Sequence, residues 1–124
     1  MHKSKILIAA FSVVLGLSGC TTYQAHSNLP TGTVITPTNA SQVQVLYSPP
    51  QRPYESIGIV SAKRYKPGLT DPSVSDAIPQ LQAAGAQIGA DAVIVRSDRA
   101  LNDRHIMVEG EAIRYTDKPA AQTP

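Results

Sequence analysis

The sequence predicts an α+β fold: a small, largely antiparallel sheet with one helix packed on it, in the order strand-strand-helix-strand-strand. Three observations carry this. Polar and apolar residues alternate on both sides of a proline-rich break at 48–53. Apolar residues recur at helical spacing between 74 and 88. Two more strand patterns follow that helix, at 92–95 and 104–115.

Gln42 to Tyr47 places Val43, Val45 and Tyr47 on one face, as a half-buried strand does. Pro49, Pro50 and Pro53 must interrupt it, because proline has no N–H for a ladder. Tyr54 to Ala62, with Ile57, Ile59 and Val60, is the second strand, and Lys63 to Gly68 is its basic, turn-rich exit.

Asp71-Pro72 suits a helix start, with Ser75 as a second cap. Val74, Ile78, Leu81, Ala84 and Ile88 then share a helical face. Pro79 and Gly85 weaken that helix, and Gly89 suits its end. Ala92 to Val95 is a short apolar strand, and Asp98 to Asp103 is a polar turn. In a strict count over Arg104 to Tyr115, Ile106 and Val108 face one way, and Ile113 and Tyr115 the other. A bulge near Gly110 would bring all four together. The expected core is Val45, Ile57, Ile59, Leu81, Ile88, Val93, Val95, Ile106 and Ile113.

The N-terminus has a different organisation. Met1 to Lys5 is basic, Ile6 to Leu17 is an apolar run, and small residues follow. That is the layout of a secretory signal over 1–19. The run is too short for a comfortable membrane span, which needs roughly 20 residues. Leu17-Ser18-Gly19-Cys20 resembles the lipobox of bacterial lipoproteins. The resemblance implies cleavage between Gly19 and Cys20, lipid on the Cys20 thiol, acylation of the new amine and attachment to a membrane. Thr21, where an Asp favours inner-membrane retention in enteric lipoproteins, leans toward the outer membrane.

Without Lys3 and Lys5 the chain has as many acidic as basic residues, so the net charge of +2 does not argue for nucleic acid. Cys20 is the only cysteine, which rules out an intrachain disulfide and a four-thiolate zinc site. Thr21 to Ser41 is rich in Thr, Ser, Asn, Gln and Pro and reads as a disordered tether. Its root-mean-square reach would be roughly 25 Å. The division is therefore signal peptide 1–19, lipidated N-terminus and tether 20–41, folded domain 42–116 and polar tail 117–124. Asn39-Ala40-Ser41 matches a glycosylation sequon by chance, and His26 reads as a solvated residue of the tether.

The densest polar group is Asp98, Arg99, Asn102, Asp103, Arg104 and His105, which reads as a solvated hairpin loop rather than a His-carboxylate site. Glu109 and Glu111 share a strand face. Arg52, Lys63, Arg64 and Lys66 flank the second strand and are candidate contacts for anionic head groups or an acidic partner. No nucleotide-binding glycine pattern or metal-ligand spacing is present, so no catalytic residue, cofactor or metal is expected.

VQVLYSPPQRPYESIGIVSA at 43–62, GADAVIV at 89–95 and VEGEAIRY at 108–115 resemble landmark segments of RcsF-like and YbjQ-like domains. The resemblance implies an outer-membrane lipoprotein that reports or assists in the envelope, and YbjQ-type relatives imply self-association. The RcsF pattern carries disulfides in its domain; this domain has no cysteine. The expectation is a lipid-anchored, non-enzymatic envelope protein with a protein partner. A self-associating structural module is the alternative, and an enzyme using the Asp98–His105 region comes third.

Overall fold

The computed structural model describes residues 22–117. It has the α+β architecture that the periodicities predict: a mostly antiparallel sheet of five strands with one helix on one face. The strands are β1 (Thr22–Ser27), β2 (Gln44–Leu46), β3 (Tyr54–Tyr65), β4 (Ala92–Asn102) and β5 (His105–Tyr115). The sheet order is β1-β3-β5-β4-β2. All neighbours are antiparallel except β2 and β4, which run parallel across the β2–β3–helix connection.

The helix α1 spans Ile78–Gln87, preceded by a 3₁₀ turn at Val74–Ala77. It starts later than the sequence pattern suggests. Pro79 lies in its first turn, where a missing N–H costs nothing, so this proline opens the helix rather than weakening it. Ser73, not Asp71 or Ser75, caps the 3₁₀ turn, and its backbone N–H donates to Asp76 Oδ2 at 2.8 Å. Gly89 at φ 78° follows the helix, and the Gly89 N–H donates to the Ala86 carbonyl.

Leu81, Ala84 and Ile88 on the helix side meet Val60, Ala62, Val93, Ile106, Val108 and Ala112 on the sheet. This is the main core. Ala92, Ile94, Ile113 and Tyr115 form a smaller cluster with Leu46 and Tyr54. The strict alternation over β5 holds: Ile106 and Val108 belong to the first cluster, Ile113 and Tyr115 to the second. No bulge forms at Gly110; a Cβ there would overlap Val93 Cγ1, so this glycine is required by close packing. The register shifts lie instead at Ile57 in β3 and at Arg96 and Leu101 in β4.

The core expectation of one cluster between helix and sheet needs two corrections: Ile113 belongs to the smaller cluster instead of the main core, and Ile59 is not buried. Ile59 is 53% exposed, because it faces the side of the sheet that α1 does not cover. The bulge at Ile57 changes the phase, so Ile57 and Val60 are both buried while Ile59 is not. Val45 and Val95 are half-buried, and the other six expected core residues are buried.

The tether expectation is corrected more deeply. Thr22–Ser27 is a strand of the sheet, paired with β3 from Thr22↔Lys63 to Ser27↔Gly58. Asn28 N–H then donates to the Ile57 carbonyl at 2.8 Å, and Leu29 and Ile35 pack on the core. Thr38 donates to the Ala86 carbonyl through its N–H and to the Ala90 carbonyl through its hydroxyl. Asn39 accepts from Ser41 N–H at 3.0 Å and caps a 3₁₀ turn at Ala40–Gln42. The folded unit therefore includes Thr22 onward and does not start at 42. Its order has an extra strand at the front. The signal segment 1–19 and Cys20 lie outside the described residues, as does the tail from 118.

Candidate functional site: the open face of the sheet

Paired residues on neighbouring strands share a face, so the register assigns every side chain of the uncovered face. Three rows cross it. His26, Ile59, Glu111 and Ile94 form one; Gln24, Ser61, Glu109 and Ser97 the next; Thr22, Lys63, Met107 and Arg99 the third. Beyond them Tyr65, His105 and Asn102 close one end. The small cluster around Ile113 and Tyr115 closes the other.

Two bulges shape this face. The one at Arg96 turns its guanidinium onto Glu111, with Nη2–Oε2 at 2.8 Å and Nε–Oε2 at 3.2 Å. That hydrogen bond raises the Arg96 pKa above its ordinary value. Between this pair and the Ile57 bulge lies a shallow cavity of about 220 Å³, bordered by Asn28, Ser56, Ile59, Arg96, Glu109 and Glu111. A second of about 220 Å³ lies beside it, bordered by Ser97, Asp98, Arg99, Met107 and Glu109. The face thus offers an exposed isoleucine and a methionine among charged side chains. Such a face can offer apolar contact in its middle and hydrogen bonds around it.

The four basic candidates do not come together. Arg52 pairs with Asp117 at 2.7 Å and lies over the Tyr115 ring, 3.8 Å from its centroid. The Asp117 hydrogen bond raises the Arg52 pKa, and the Arg52 hydrogen bond lowers that of Asp117. Lys66 pairs with Asp76 at 3.2 Å. Arg64 faces α1, where Nη1 is 3.0 Å from the Gln80 side-chain oxygen once that amide is oriented to bond. Lys63 alone faces the open side. Arg52, Arg64 and Lys66 tie loops and helix to the sheet.

The polar group at 98–105 extends two strands and closes a tight hairpin. Asn102 Oδ1 accepts from Arg104 N–H at 2.9 Å and lies 2.9 Å from His105 Nδ1. The His105 ring packs on Tyr65, 5.1 Å between centroids. Asp98 sits opposite Val108, three residues along β5 from His105 and so roughly 10 Å away. Among the described residues no three His, Cys, Asp or Glu side chains converge on a metal position. Among the same residues no helix is long and apolar enough to cross a membrane.

The GADAVIV segment has a structural role. Asp91 N–H donates to the Ile113 carbonyl and Asp91 Oδ2 accepts from Tyr115 N–H, both at 2.9 Å, while Ala90 and Ala92 are buried. These bonds lock the start of β4 to the end of β5. Sequence reasoning misses the Arg96–Glu111 pair, since only the bulge brings Arg96 to that face.

Fold and face together define a small α+β domain with one helix-covered and one open sheet surface. No family model matches the chain, and no curated protein matches it. A solved structure does: a Francisella virulence factor, FvfA, crystallised in an orthorhombic form. It is similar over 74% of this chain and 96% of its own, with 17% sequence identity and a TM-score of 0.52. At that identity the likeness concerns the fold alone.

Proposed function

We propose that this chain is a lipid-anchored, non-enzymatic protein of the bacterial envelope that binds a protein partner, in sensing or assembly. The observation that carries the reading is Leu17-Ser18-Gly19-Cys20 directly behind a basic and then apolar leader. Lipid on Cys20 attaches the protein to a membrane, and Thr21 favours the outer membrane, with the domain facing the periplasm. Several acyl chains hold a protein where one holds it only marginally. The three landmark segments support kinship with RcsF-like and YbjQ-like domains, and we include that kinship in the proposal.

The open face is the partner surface. Ile59 supplies apolar area, and Arg96, Glu109 and Glu111 supply charge of both signs around it. A photo-cross-linking residue at Ile59 in the membrane-bound protein should capture the partner. One at Gln87, exposed at the end of α1 on the covered side of the sheet, should not. Equal capture from both positions would refute the assignment of the face.

A second reading is self-association. β1 is an edge strand of six residues whose outer side pairs with nothing among the described residues. Sedimentation of the unlipidated domain separates the two: a monomer favours the partner reading, a stable oligomer the self-associating module.

A further inference from the structure

We propose that the end of the sheet carrying Thr22, Lys63 and Arg99 seats the domain directly on the phospholipid surface. The proposal deepens the anchor reading and rests on lipid at Cys20. β1 starts at Thr22, only two residues after Cys20. Two residues span at most about 7 Å, so Thr22 has nowhere to go but the head-group layer once Cys20 is acylated. The domain is leashed, not tethered.

The register then says what else lies at that depth. Thr22 is level with Lys63, Met107 and Arg99, and Tyr65, His105 and Asn102 lie one step further out. The loop after β3 leaves from this end and is fastened to the β4–β5 hairpin, Lys66 N–H donating to the Arg104 carbonyl at 2.9 Å. Leu69 on that loop is fully exposed. Tyr65 and Leu101 are exposed large residues of the same end. Among the described residues, three of the seven exposed large hydrophobic side chains thus gather where the anchor places the bilayer. Tyrosine at the head-group level with leucine below it is the composition of an interfacial contact.

Charge at this end is mixed. Lys63, Arg99 and Arg104 alternate with Asp98 and Asp103, so the seat draws on apolar contact and the leash rather than on anionic lipid. The opposite end, with Arg52 and Tyr115, stands about 35 Å away along the twelve residues of β3. The open face is then held upright beside the membrane, accessible from the side.

The test uses full-length lipidated protein in phosphatidylethanolamine–phosphatidylglycerol vesicles. An environment-sensitive dye is placed at Leu69→Cys, at Leu101→Cys or, on the opposite end, at Gln51→Cys. Lipids carrying a quencher at the head group are then added, and mass spectrometry of each preparation reports the state of Cys20. With Cys20 acylated, dyes at 69 and 101 should shift to the blue and lose more than about half their emission, as contact with the head-group layer requires. The dye at 51 should keep its own. Acylated protein in which 69 and 101 behave like 51 overturns the seat but leaves the anchor. Unacylated protein overturns the anchor reading and the seat with it. A blue-shifted dye at 69 in the vesicle-free Cys20→Ala protein would mean that a second copy covers this end, which also overturns the seat.

Discussion

Gly58→Ala should loosen β1, the edge strand that pairs with β3. Gly58 in β3 pairs with Ser27, and a Cβ there would overlap the His26 carbonyl oxygen and come within 2.9 Å of Ile88 Cδ1. The isoleucine end can turn aside; the β1 backbone can only move. Overpacking of this kind costs about 1–3 kcal/mol. Alanine also restricts the unfolded chain, which returns about 0.4–1 kcal/mol. The steric cost wins, leaving a net loss of about 1–2 kcal/mol, or roughly 5–15 °C in Tm for a domain of this size. The cost has a ceiling, because β1 can detach instead of straining the sheet. Urea and thermal melts of residues 21–124 measure the total. Amide exchange locates it: protection in β1 should fall well before protection in β5. A Gly58→Ala domain as stable as the parent, with β1 amides unchanged, would refute the close approach and the placement of β1.

Three further outcomes follow from the same packing. Leu81 is completely buried between α1 and the sheet, so Leu81→Ala should cost about 2–5 kcal/mol in a urea melt. A chain beginning at residue 40 lacks β1 and the Leu29 and Ile35 contacts, and it should melt below the chain beginning at 21, with β3 amides less protected. Asp76 has its pKa lowered first by the Ser73 N–H and also by Lys66. A lowered folded pKa contributes stability above the ordinary carboxylate range and loses it as pH falls through the folded value. Stability should therefore drop on acidification below that range, and Asp76→Asn should flatten part of the drop in Tm plotted against pH.

The sequence is legible wherever apolar side chains are the reason for an element. α1, β3, β5 and the start of β4 each bury a periodic face, and that periodicity places each of them. It does not place β1, for a physical reason. Of TYQAHS only Ala25 is even half-buried, and the strand is held by its backbone ladder to β3 and by a glycine that admits it. Neither leaves a hydropathy signal. The outer half of β4 is missed for the same reason: Asp98 to Asp103 reads as a turn, and every residue from Arg96 to Asn102 is exposed. Ile59 falls on the wrong face in a sequence reading because the bulge at Ile57 is invisible to a two-residue period. The members of the open face come from four strands, and only the register brings Ile59, Glu111 and Arg96 together. The basic group looks concentrated along the chain, yet Arg52, Lys66 and Arg64 each turn to a different partner.

The measurement that bears most directly on the account is the mass of the mature protein extracted from membranes with detergent. The account predicts a chain that begins at Cys20, lacks residues 1–19 and carries acyl chains on the Cys20 thiol and amine. It also predicts that Cys20→Ala abolishes lipid labelling and membrane retention of the processed form. A membrane-bound protein that keeps residues 1–19, or one that begins at Cys20 with a free thiol, would contradict it.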